Sequence, residues 1–404
     1  MTRRGAYSLR ADARRFDPRK GGAAASAVGR WVGARTSGSL AREALSIWVL
    51  TRVAVMTAAF AGLWMVADTN ARDVPSFLGW WDRWDTHLFL DVAKYGYGGY
   101  ASHTTDTHLE AFFPGEPLLM RVAHLLTASW VGGALLISAI AGAFAMLAMS
   151  RLGALEGGQL AGSRAVLYLT LSPYAVFLAA GYSESLFLAF ALPSWLAARR
   201  ERWLAAGLLA GGAALVRIDG LFLAVALAVQ WLTSRNRRAG PELFALFTPV
   251  VATAGYFAYL HHVTGDWLAW NHAQQQGWGR HLTLPWHSFH TSWSAAFSPS
   301  QGTAYEWSFR AEILALAVGV VVTVVLVVMR RFGEAVYVGL QVVALGCSSY
   351  YLSISRSTLL WFPLWLLFAR WSVPRQWLHR GYLAVAPALM LVGVITFTSG
   401  RWVG

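Results

Sequence analysis

Residues 42–66, REALSIWVLTRVAVMTAAFAGLWMV, form the first long apolar run of the chain and decide its class. A run of this length can cross the hydrocarbon core of a bilayer as a helix. The rest of the sequence has the same character, because 56% of its 404 residues are hydrophobic and only 13% are charged. This composition leaves too little polar surface for a soluble protein of that length, so we predict a polytopic membrane protein.

Apolar runs of about 17–25 residues predict about 11 transmembrane helices in this chain. The expected fold class is therefore an all-α polytopic membrane protein. The predicted spans are residues 42–66, 130–150, 164–181, 184–198, 203–218, 219–233, 241–262, 310–329, 333–353, 357–370 and 381–399.

Two segments outside these spans are interpreted separately. Residues 111–126 contain Glu116, Arg121 and His124, which are costly in hydrocarbon, so we predict an interfacial helix there. Residues 1–40 are rich in arginine and have no apolar core, so we expect a disordered basic cytoplasmic tail. Residues 41–404 then form a single transmembrane domain.

The arginines predict how the helices are oriented in the membrane. If the N-terminus is cytoplasmic, five arginine clusters fall on the cytoplasmic side, as the positive-inside rule requires. The two long loops, 67–129 and 263–309, then face outward and roof a common site. We read the net charge of +13 as this topology signal, and not as a nucleic-acid surface. The clusters are Arg151/Arg164, Arg199/Arg200/Arg202, Arg235/Arg237/Arg238, Arg330/Arg331 and Arg370/Arg375/Arg380.

Cysteine and histidine give little support for a metal centre. The single cysteine, Cys347, excludes an intrachain disulfide and a cysteine-rich zinc site. His287 and His290 have an i, i+3 spacing that suits a metal, but this spacing is common by chance and no carboxylate stands beside it. We assign no metal ligand and no certain cofactor, and a divalent cation is left open.

The segment 81–97, WDRWDTHLFLDVAKYGY, follows the first span and combines three carboxylates with large aromatic residues. We expect Asp85 to be a general base, because a carboxylate near an acceptor hydroxyl can take its proton. The alternative is that Asp82 or Asp85 only caps the short helix predicted over 86–95. Trp81 and Trp84 are suited to the membrane interface. The residues alone leave both interpretations of Asp85 open.

Polar residues at the outer ends of several predicted helices fall on the same side as this segment. An ionisable group near membrane depth is costly, so it usually has a partner or a ligand. Their convergence predicts a cavity beneath the two outer loops. These residues are Tyr182, Ser183, Glu184, Arg217, Asp219 and Arg356.

A set of short motifs occurs in a fixed order between about residue 42 and residue 370. The motifs are Trp84-Asp85, Ala93-Lys94-Tyr95-Gly96-Tyr97, Ala111-Phe112-Phe113-Pro114 with Pro117, Ser172-Pro173, Gly181-Tyr182-Ser183-Glu184-Ser185-Leu186-Phe187, Arg217 with Gly220, the tract Gln274–Gln276 with Trp278 and Arg280, and Arg356 with Phe362-Pro363. Each motif is weak alone, and the ordered set is more specific. Together they resemble the PIG-V family of mannosyltransferases, within the GT-C superfamily of polyprenyl-phosphate-sugar-dependent glycosyltransferases.

This resemblance implies a GT-C-like transmembrane glycosyltransferase domain with Asp85 as the catalytic base. It also implies a polyprenyl-phosphate sugar donor, with mannose as the sugar, and inversion at the anomeric carbon. The acceptor would be a lipid-linked glycan or another hydroxyl compound at the outer membrane face. The chain departs from the family pattern at Gly115-Glu116, between two prolines, and at Ser357 after Arg356, which bears on the sugar and the acceptor.

The candidate site residues follow from the resemblance and from their chemistry. Arg356, Arg217 and Arg280 are candidates for the donor phosphate, since guanidinium offers paired hydrogen bonds to phosphate oxygens. The alternative is that these arginines snorkel or pair with Glu184 or Asp219. Asp82 and Glu184 are supporting acidic residues. The candidates for sugar or acceptor binding are Tyr182, Ser183, Gln275, Trp278 and Glu116.

Two further expectations concern location and an alternative function. The enzyme would lie in the plasma membrane of a bacterium or in the endoplasmic reticulum of a eukaryote, with a cytoplasmic N-terminus. The alternative is a transporter or flippase of lipid-linked sugars that performs no covalent chemistry. The lack of a clean internal repeat in the sequence disfavours that alternative.

Overall fold

Helices dominate the computed structural model, which describes residues 18–66, 76–97, 108–234, 240–298 and 302–403, with side chains of the first helix over 38–65. Within these ranges the β structure is one bridge between Leu282 and Ser348. The helices are α1 (Pro18–Val66), α2 (Asp85–Tyr95), α3 (Gly115–Thr127), α4 (Trp130–Thr170), α5 (Ser183–Ala198), α6 (Trp203–Val216), α7 (Asp219–Leu232), α8 (Thr248–Thr264), α9 (Ala269–Trp278), α10 (Pro285–Phe297), α11 (Thr303–Val328), α12 (Phe332–Gly346), α13 (Ile354–Ser357), α14 (Phe362–Ser372) and α15 (Gln376–Thr398). The predicted all-α fold is confirmed.

Five helical segments are long and apolar enough to cross a membrane: 38–65, 130–170, 241–264, 303–328 and 376–398. The apolar helices α5, α6, α7 and α12 are shorter, at 14 to 16 residues. At 1.5 Å per residue, such a helix is only about 21–24 Å long. The total of about 11 spans therefore stays a prediction, although an apolar helix lies in each predicted range.

Helix α4 joins two of the predicted spans. Its 41 residues form two helical arms, 130–156 and 159–170, because Gly157 and Gly158 have non-helical backbone angles. Gly158 has φ 78°, which favours glycine because a Cβ is strained in that region. A Cβ on Gly162 would lie 2.5 Å from the Ser150 carbonyl oxygen, so the two arms run side by side and the chain reverses at these glycines, as predicted for two separate spans.

The two segments outside the predicted spans are also helical where they are described. Helix α3 covers the predicted interfacial segment, and its 13 residues are too few to span a bilayer. Helix α1 begins at Pro18, inside the segment expected to be a disordered tail, and residues 1–17 of that segment lie outside the described residues. Proline is favoured in the first turn, and the alanines at 23–25 favour helix over coil.

One end of the bundle, here called the Glu156 end, collects arginines from three connections. Arg199, Arg331 and Arg370 lie 3.0, 2.9 and 3.6 Å from the carboxylate oxygens of Glu156. These arginines belong to clusters predicted to share one membrane face, and the structure brings them together. Residues 235–239, which hold another cluster, are outside the described ranges.

The other end of the bundle, here called the Asp85 end, carries the predicted site. Helix α5 connects the two ends, with Glu184 in its first turn and Arg199 just after its last residue. The rise of a helix separates these two residues by roughly 22 Å. The acidic and basic residues of the predicted site are thus gathered at the end opposite the Glu156 cluster.

Candidate active site

A cavity of about 450 Å³ opens at the Asp85 end. This size is within the range of small-molecule sites. Side chains from α2, α7, α9, α12 and the short helix α13 line it, so the wall comes from distant parts of the chain. Its charged lining residues are Asp85, Arg217, Asp219, Arg280 and Arg356.

Asp85 is the first residue of α2, and its side chain points to an arginine and does not cap the helix. The N-cap position belongs to Trp84, which has φ 51° and ψ −128° and makes no side-chain cap hydrogen bond. Arg356 Nη1 donates to Asp85 Oδ2 over 2.8 Å, and the Asp85 backbone N–H donates to the Tyr182 hydroxyl over 3.3 Å. The capping alternative for Asp85 is therefore not realised.

Arg356 is the central cation of the cavity wall. Its Nε lies 3.1 Å from Glu184 Oε1, in addition to the hydrogen bond to Asp85. Its guanidinium carbon lies 5.2 Å from the ring centroids of both Phe177 and Tyr182, a cation–π geometry. Arg356 is therefore held on three sides, by two carboxylates and by a pair of aromatic rings.

A buried glutamate fixes the backbone that carries Arg356. Glu312 Oε2 accepts the backbone N–H groups of Ile354 and Ser355 at 2.6 and 3.1 Å, and Oε1 accepts the Ser355 hydroxyl at 2.7 Å. A carboxylate at this position satisfies the donors that begin α13. The sequence interpretation missed Glu312, because a single glutamate in an apolar run carries no spacing signal.

Arg217 is also neutralised by carboxylates. Its Nε donates to Asp219 Oδ2 over 3.0 Å, and its Nη1 donates to Ser183 Oγ and Glu184 Oε1 over 3.0 and 3.2 Å. The residue stands between α6 and α7 in an extended conformation, which turns its side chain toward α5. Glu184 thus joins Arg217 to Arg356.

Arg280 differs from the other two arginines. It is half-buried in the cavity wall, and its Nη2 donates to the Leu352 carbonyl over 2.8 Å. Among the described residues, no carboxylate lies within ion-pair distance of it. Desolvation, and then the positive charge of Arg356, lowers the pKa of Arg280. An anion in the cavity would supply the counter-charge that Arg280 lacks.

Glu116 is buried beside the site and does not line the cavity. Its side chain is 0% exposed, and neither carboxylate oxygen has a hydrogen-bond partner among the described residues. Burial, and then the charge of Glu184, raises the pKa of Glu116 well above its ordinary value of 4.5. The preceding Gly115 permits this close packing, since a Cβ there would lie 2.8 Å from the Leu215 carbonyl oxygen. The predicted sugar or acceptor contact therefore has no access to Glu116.

The other predicted binding residues divide into those that line the cavity and those that do not. Ser183 and Trp278 line it, whereas Tyr182 is 1% exposed and lies beneath Arg356. Gln275 is exposed and outside the cavity, and its neighbour Gln274 is the lining residue. Successive side chains on a helix point about 100° apart, so Gln274 can face the cavity while Gln275 points away from it.

The two tryptophans and the second aspartate of the segment 81–97 also take different places. Trp81 is buried, and its ring lies 6.0 Å from the ring of Phe397. Trp84 is 41% exposed. Asp82 Oδ1 lies 3.0 Å from His87 Nδ1 and does not line the cavity.

Metal-binding clusters were one possibility left open by the sequence. No group of three His, Cys, Asp or Glu residues in that part is placed to hold a metal ion. His287 and His290 both lie exposed on α10.

Comparison with known proteins finds a family match over part of the chain. Residues 64–234, which include Asp85, Glu184 and Arg217, match the family model of the PIG-V mannosyltransferases. The resemblance found in the motifs is thereby confirmed. Arg280 and Arg356 lie beyond the matched residues.

Curated relatives match a segment of similar length. The GPI alpha-1,6-mannosyltransferase 2 of Rattus norvegicus is 35% identical over 160 residues, which is 37% of this chain and 31% of the rat protein. That of Mus musculus is 34% identical over 160 residues, with the same coverage. The chain thus spans about a third of the length of the curated relatives it matches.

Solved structures match most of this chain at low sequence identity. The Archaeoglobus fulgidus oligosaccharyltransferase in the apo form has a TM-score of 0.45 at 13% identity, covering 89% of this chain and 56% of that one. ArnT from Cupriavidus metallidurans in the apo state has a TM-score of 0.45 at 16% identity, covering 87% and 76%.

Proposed function

We propose that this protein is an inverting glycosyltransferase that moves mannose from a polyprenyl phosphate to a hydroxyl group of a lipid-linked acceptor. One observation carries the proposal: the Asp85 carboxylate shares a cavity with three guanidinium groups, and one of them lacks a carboxylate partner among the described residues. Such a cavity suits a reaction in which a hydroxyl loses a proton and a phosphate departs. The match of residues 64–234 to a mannosyltransferase family supports it.

The chemistry assigned to Asp85 is general-base catalysis. The acceptor oxygen attacks the anomeric carbon of the sugar, and its proton moves to the Asp85 carboxylate as the new C–O bond forms. The bond between the anomeric carbon and the phosphate oxygen breaks, and the phosphate takes its electron pair. Asp85 Oδ2 is engaged by Arg356, and Oδ1 has no hydrogen-bond partner among the described residues. We assign the proton transfer to Oδ1.

The departing phosphate gains negative charge, and cations placed for it lower the barrier. Arg280 is our first candidate, because Arg217 and Arg356 are already paired with carboxylates. Arg356 orients Asp85 and adds positive charge to the same wall. The phosphate role that we predicted for all three arginines is thus proposed first for Arg280.

The membrane setting is part of the proposal. We place the Asp85 end at the outer face and the Glu156 end in the cytoplasm, because the arginines at the Glu156 end fit the positive-inside rule. The membrane would be the plasma membrane of a bacterium or the endoplasmic reticulum of a eukaryote. A donor carried on a polyprenyl chain reaches such a site from within the bilayer.

The test is an assay of the purified protein in proteoliposomes with polyprenyl-phosphate mannose and a lipid extract that supplies acceptors. We expect mannosylated lipid with the wild type, and a loss of at least about a hundredfold with Asp85→Asn, as for removal of a general base. Asp82→Asn is the matched control, since Asp82 lies outside the cavity. Sugar that moves to the opposite leaflet without a new covalent bond would contradict the proposal and indicate a transporter. Normal turnover by Asp85→Asn, with Asp82→Asn inactive, would reassign the base.

A further inference from the structure

A short segment after α15 reaches the active-site cavity. Helix α15 ends in a Schellman motif, in which Gly400 N–H donates to the Phe397 carbonyl over 3.0 Å and Arg401 N–H donates to the Thr396 carbonyl over 3.1 Å. Gly400 has φ 78°, the left-handed conformation that this motif requires. The chain therefore turns sharply at Gly400, and Trp402 follows two residues later.

Both sides of this turn are fixed to the protein core. Phe397, before the turn, is 1% exposed and lies 5.8 Å from the ring centroids of both Phe177 and Tyr182. Val403, after the turn, is partly buried against the main hydrophobic core. The two aromatic rings that Phe397 touches are those that lie against Arg356. The turn is thus built onto the same layer that holds the charged wall of the cavity.

Trp402 lines the cavity that contains Asp85. Its ring is half-exposed and stands edge-on to the ring of Trp84, with centroids 5.2 Å apart and planes at 80°. Trp84 directly precedes Asp85 and is itself 41% exposed. Trp402, near the last described residue, therefore contacts the residue that precedes the candidate base and also lines the cavity.

We propose that Trp402, supported by Trp84, forms a subsite for the sugar ring of the acceptor. This inference rests on the function proposed above and adds a binding residue outside the part of the chain that matches the family. A flat indole presents a negative π face to the C–H groups of a pyranose ring. Bound there, an acceptor sugar has a hydroxyl group close to Asp85. The acceptor class is then a glycolipid whose accepting residue is a hexose, and not a simple lipid alcohol.

The test compares kinetics for the two substrates, with octyl α-mannoside as the acceptor probe and polyprenyl-phosphate mannose as the donor. We expect Trp402→Ala to raise the acceptor KM about tenfold, in line with the loss of one aromatic contact. The donor KM and kcat should change less than about twofold, because the chemistry at Asp85 is intact. Trp402→Phe keeps a ring and should restore most of the acceptor affinity. Arg401→Ala, an exposed neighbour in the same turn, is the matched control.

A binding measurement separates this inference from the proposed reaction. Saturation-transfer NMR with methyl α-mannoside and no donor should show transfer to the sugar ring in the wild type and lose it in Trp402→Ala. Sugar binding that is lost in Trp402→Ala could coexist with a wild type that forms no product in the assay. That result would support the subsite and contradict the proposed function. An acceptor KM within about twofold of wild type in Trp402→Ala would overturn the subsite. An equal rise in both KM values that Trp402→Phe does not restore would overturn it too, because the residue would then only hold the fold.

Discussion

The Arg356 guanidinium donates to the Asp85 carboxylate over 2.8 Å, although 271 residues separate the two positions. Asp85 begins the helix after the first predicted span, and Arg356 lies on the short helix before α14. Their contact brings the early and late parts of the chain to one end of the bundle. Because both side chains are buried, each depends on the other for its counter-charge.

Loss of Arg356 should destabilise the fold strongly. We expect Arg356→Ala to lower the free energy of unfolding by about 3–5 kcal/mol, because it leaves Asp85 and Glu184 buried with one cation fewer. Thermal unfolding in detergent measures this loss, and a double-mutant cycle with Asp85→Ala isolates the pair. The control is the same cycle on Arg310 and Glu306, whose 3.3 Å pair is more exposed and should have a coupling energy of about 1 kcal/mol or less. Similar coupling energies for the two pairs would count against a central role for the Asp85–Arg356 pair.

Glu312 should act through Arg356 and not on substrate. Glu312→Ala leaves the first N–H groups of α13 without their acceptor, which costs about 1–3 kcal/mol for each buried donor. We expect it to lower kcat together with the stability, because the backbone that carries Arg356 loses its anchor. Glu312→Gln keeps one acceptor oxygen and should be intermediate. Glu306→Ala, on the same helix, should leave kcat unchanged, and an equal fall in both alanine variants would argue against the anchoring role.

Glu116 should make stability depend on pH. Its pKa is raised in the folded protein, so the folded state holds the proton more tightly than the unfolded state does. The stabilisation is present below the ordinary pKa of 4.5 and is lost as pH rises through the raised value. The groups that face it include Glu184, whose negative charge acts in the same direction.

Melting temperatures of the wild type and Glu116→Gln test this dependence. Between pH 5 and pH 8 the wild type should lose stability relative to Glu116→Gln, which has no proton to release. The difference between the two melting temperatures should therefore shift steadily with pH. A difference that stays constant over this range would show that Glu116 does not change its protonation between the two states.

Arg280 should contribute to donor binding and little to stability. Arg280→Gln removes a charge that has no carboxylate partner among the described residues, so we expect a small change in melting temperature, in contrast to Arg356→Ala. The donor KM should rise about 10- to 100-fold, the range for a lost hydrogen bond to a charged group. Arg280→Lys keeps the charge but loses the paired geometry and should be intermediate. An unchanged donor KM in Arg280→Gln would show that another cation binds the phosphate.

The long apolar runs and the convergence of the site residues could be predicted from the sequence. Run length identifies helices in a membrane protein, and the arginine pattern placed Asp85 and Arg356 on one side. The pairing of each arginine could not be predicted, because it depends on distances between helices. Which of Gln274 and Gln275 faces the cavity depends on where α9 begins, and the sequence does not define that residue.

The positions of buried residues, and of residues outside any motif, could not be predicted from the sequence either. The interfacial helix predicted around Glu116 does not tell which of its faces is covered, and the structure shows that Glu116 is 0% exposed, next to the closely packed Gly115. Trp402 belongs to no motif, and its place depends on the turn at Gly400. The start of α1 at Pro18 gives no hydropathy signal, because residues 18–40 contain no long apolar run.

The most direct test of the account is the rate of the first turnover by Asp85→Asn compared with the wild type. The protein is loaded with polyprenyl-phosphate mannose, mixed with excess acceptor and quenched after a series of increasing times. The first turnover is then measured without a limit from product release. We predict unchanged donor affinity and a first turnover at least about a hundredfold slower, because only the proton acceptor is lost. A first turnover as fast as that of the wild type would contradict the role of Asp85 as the base.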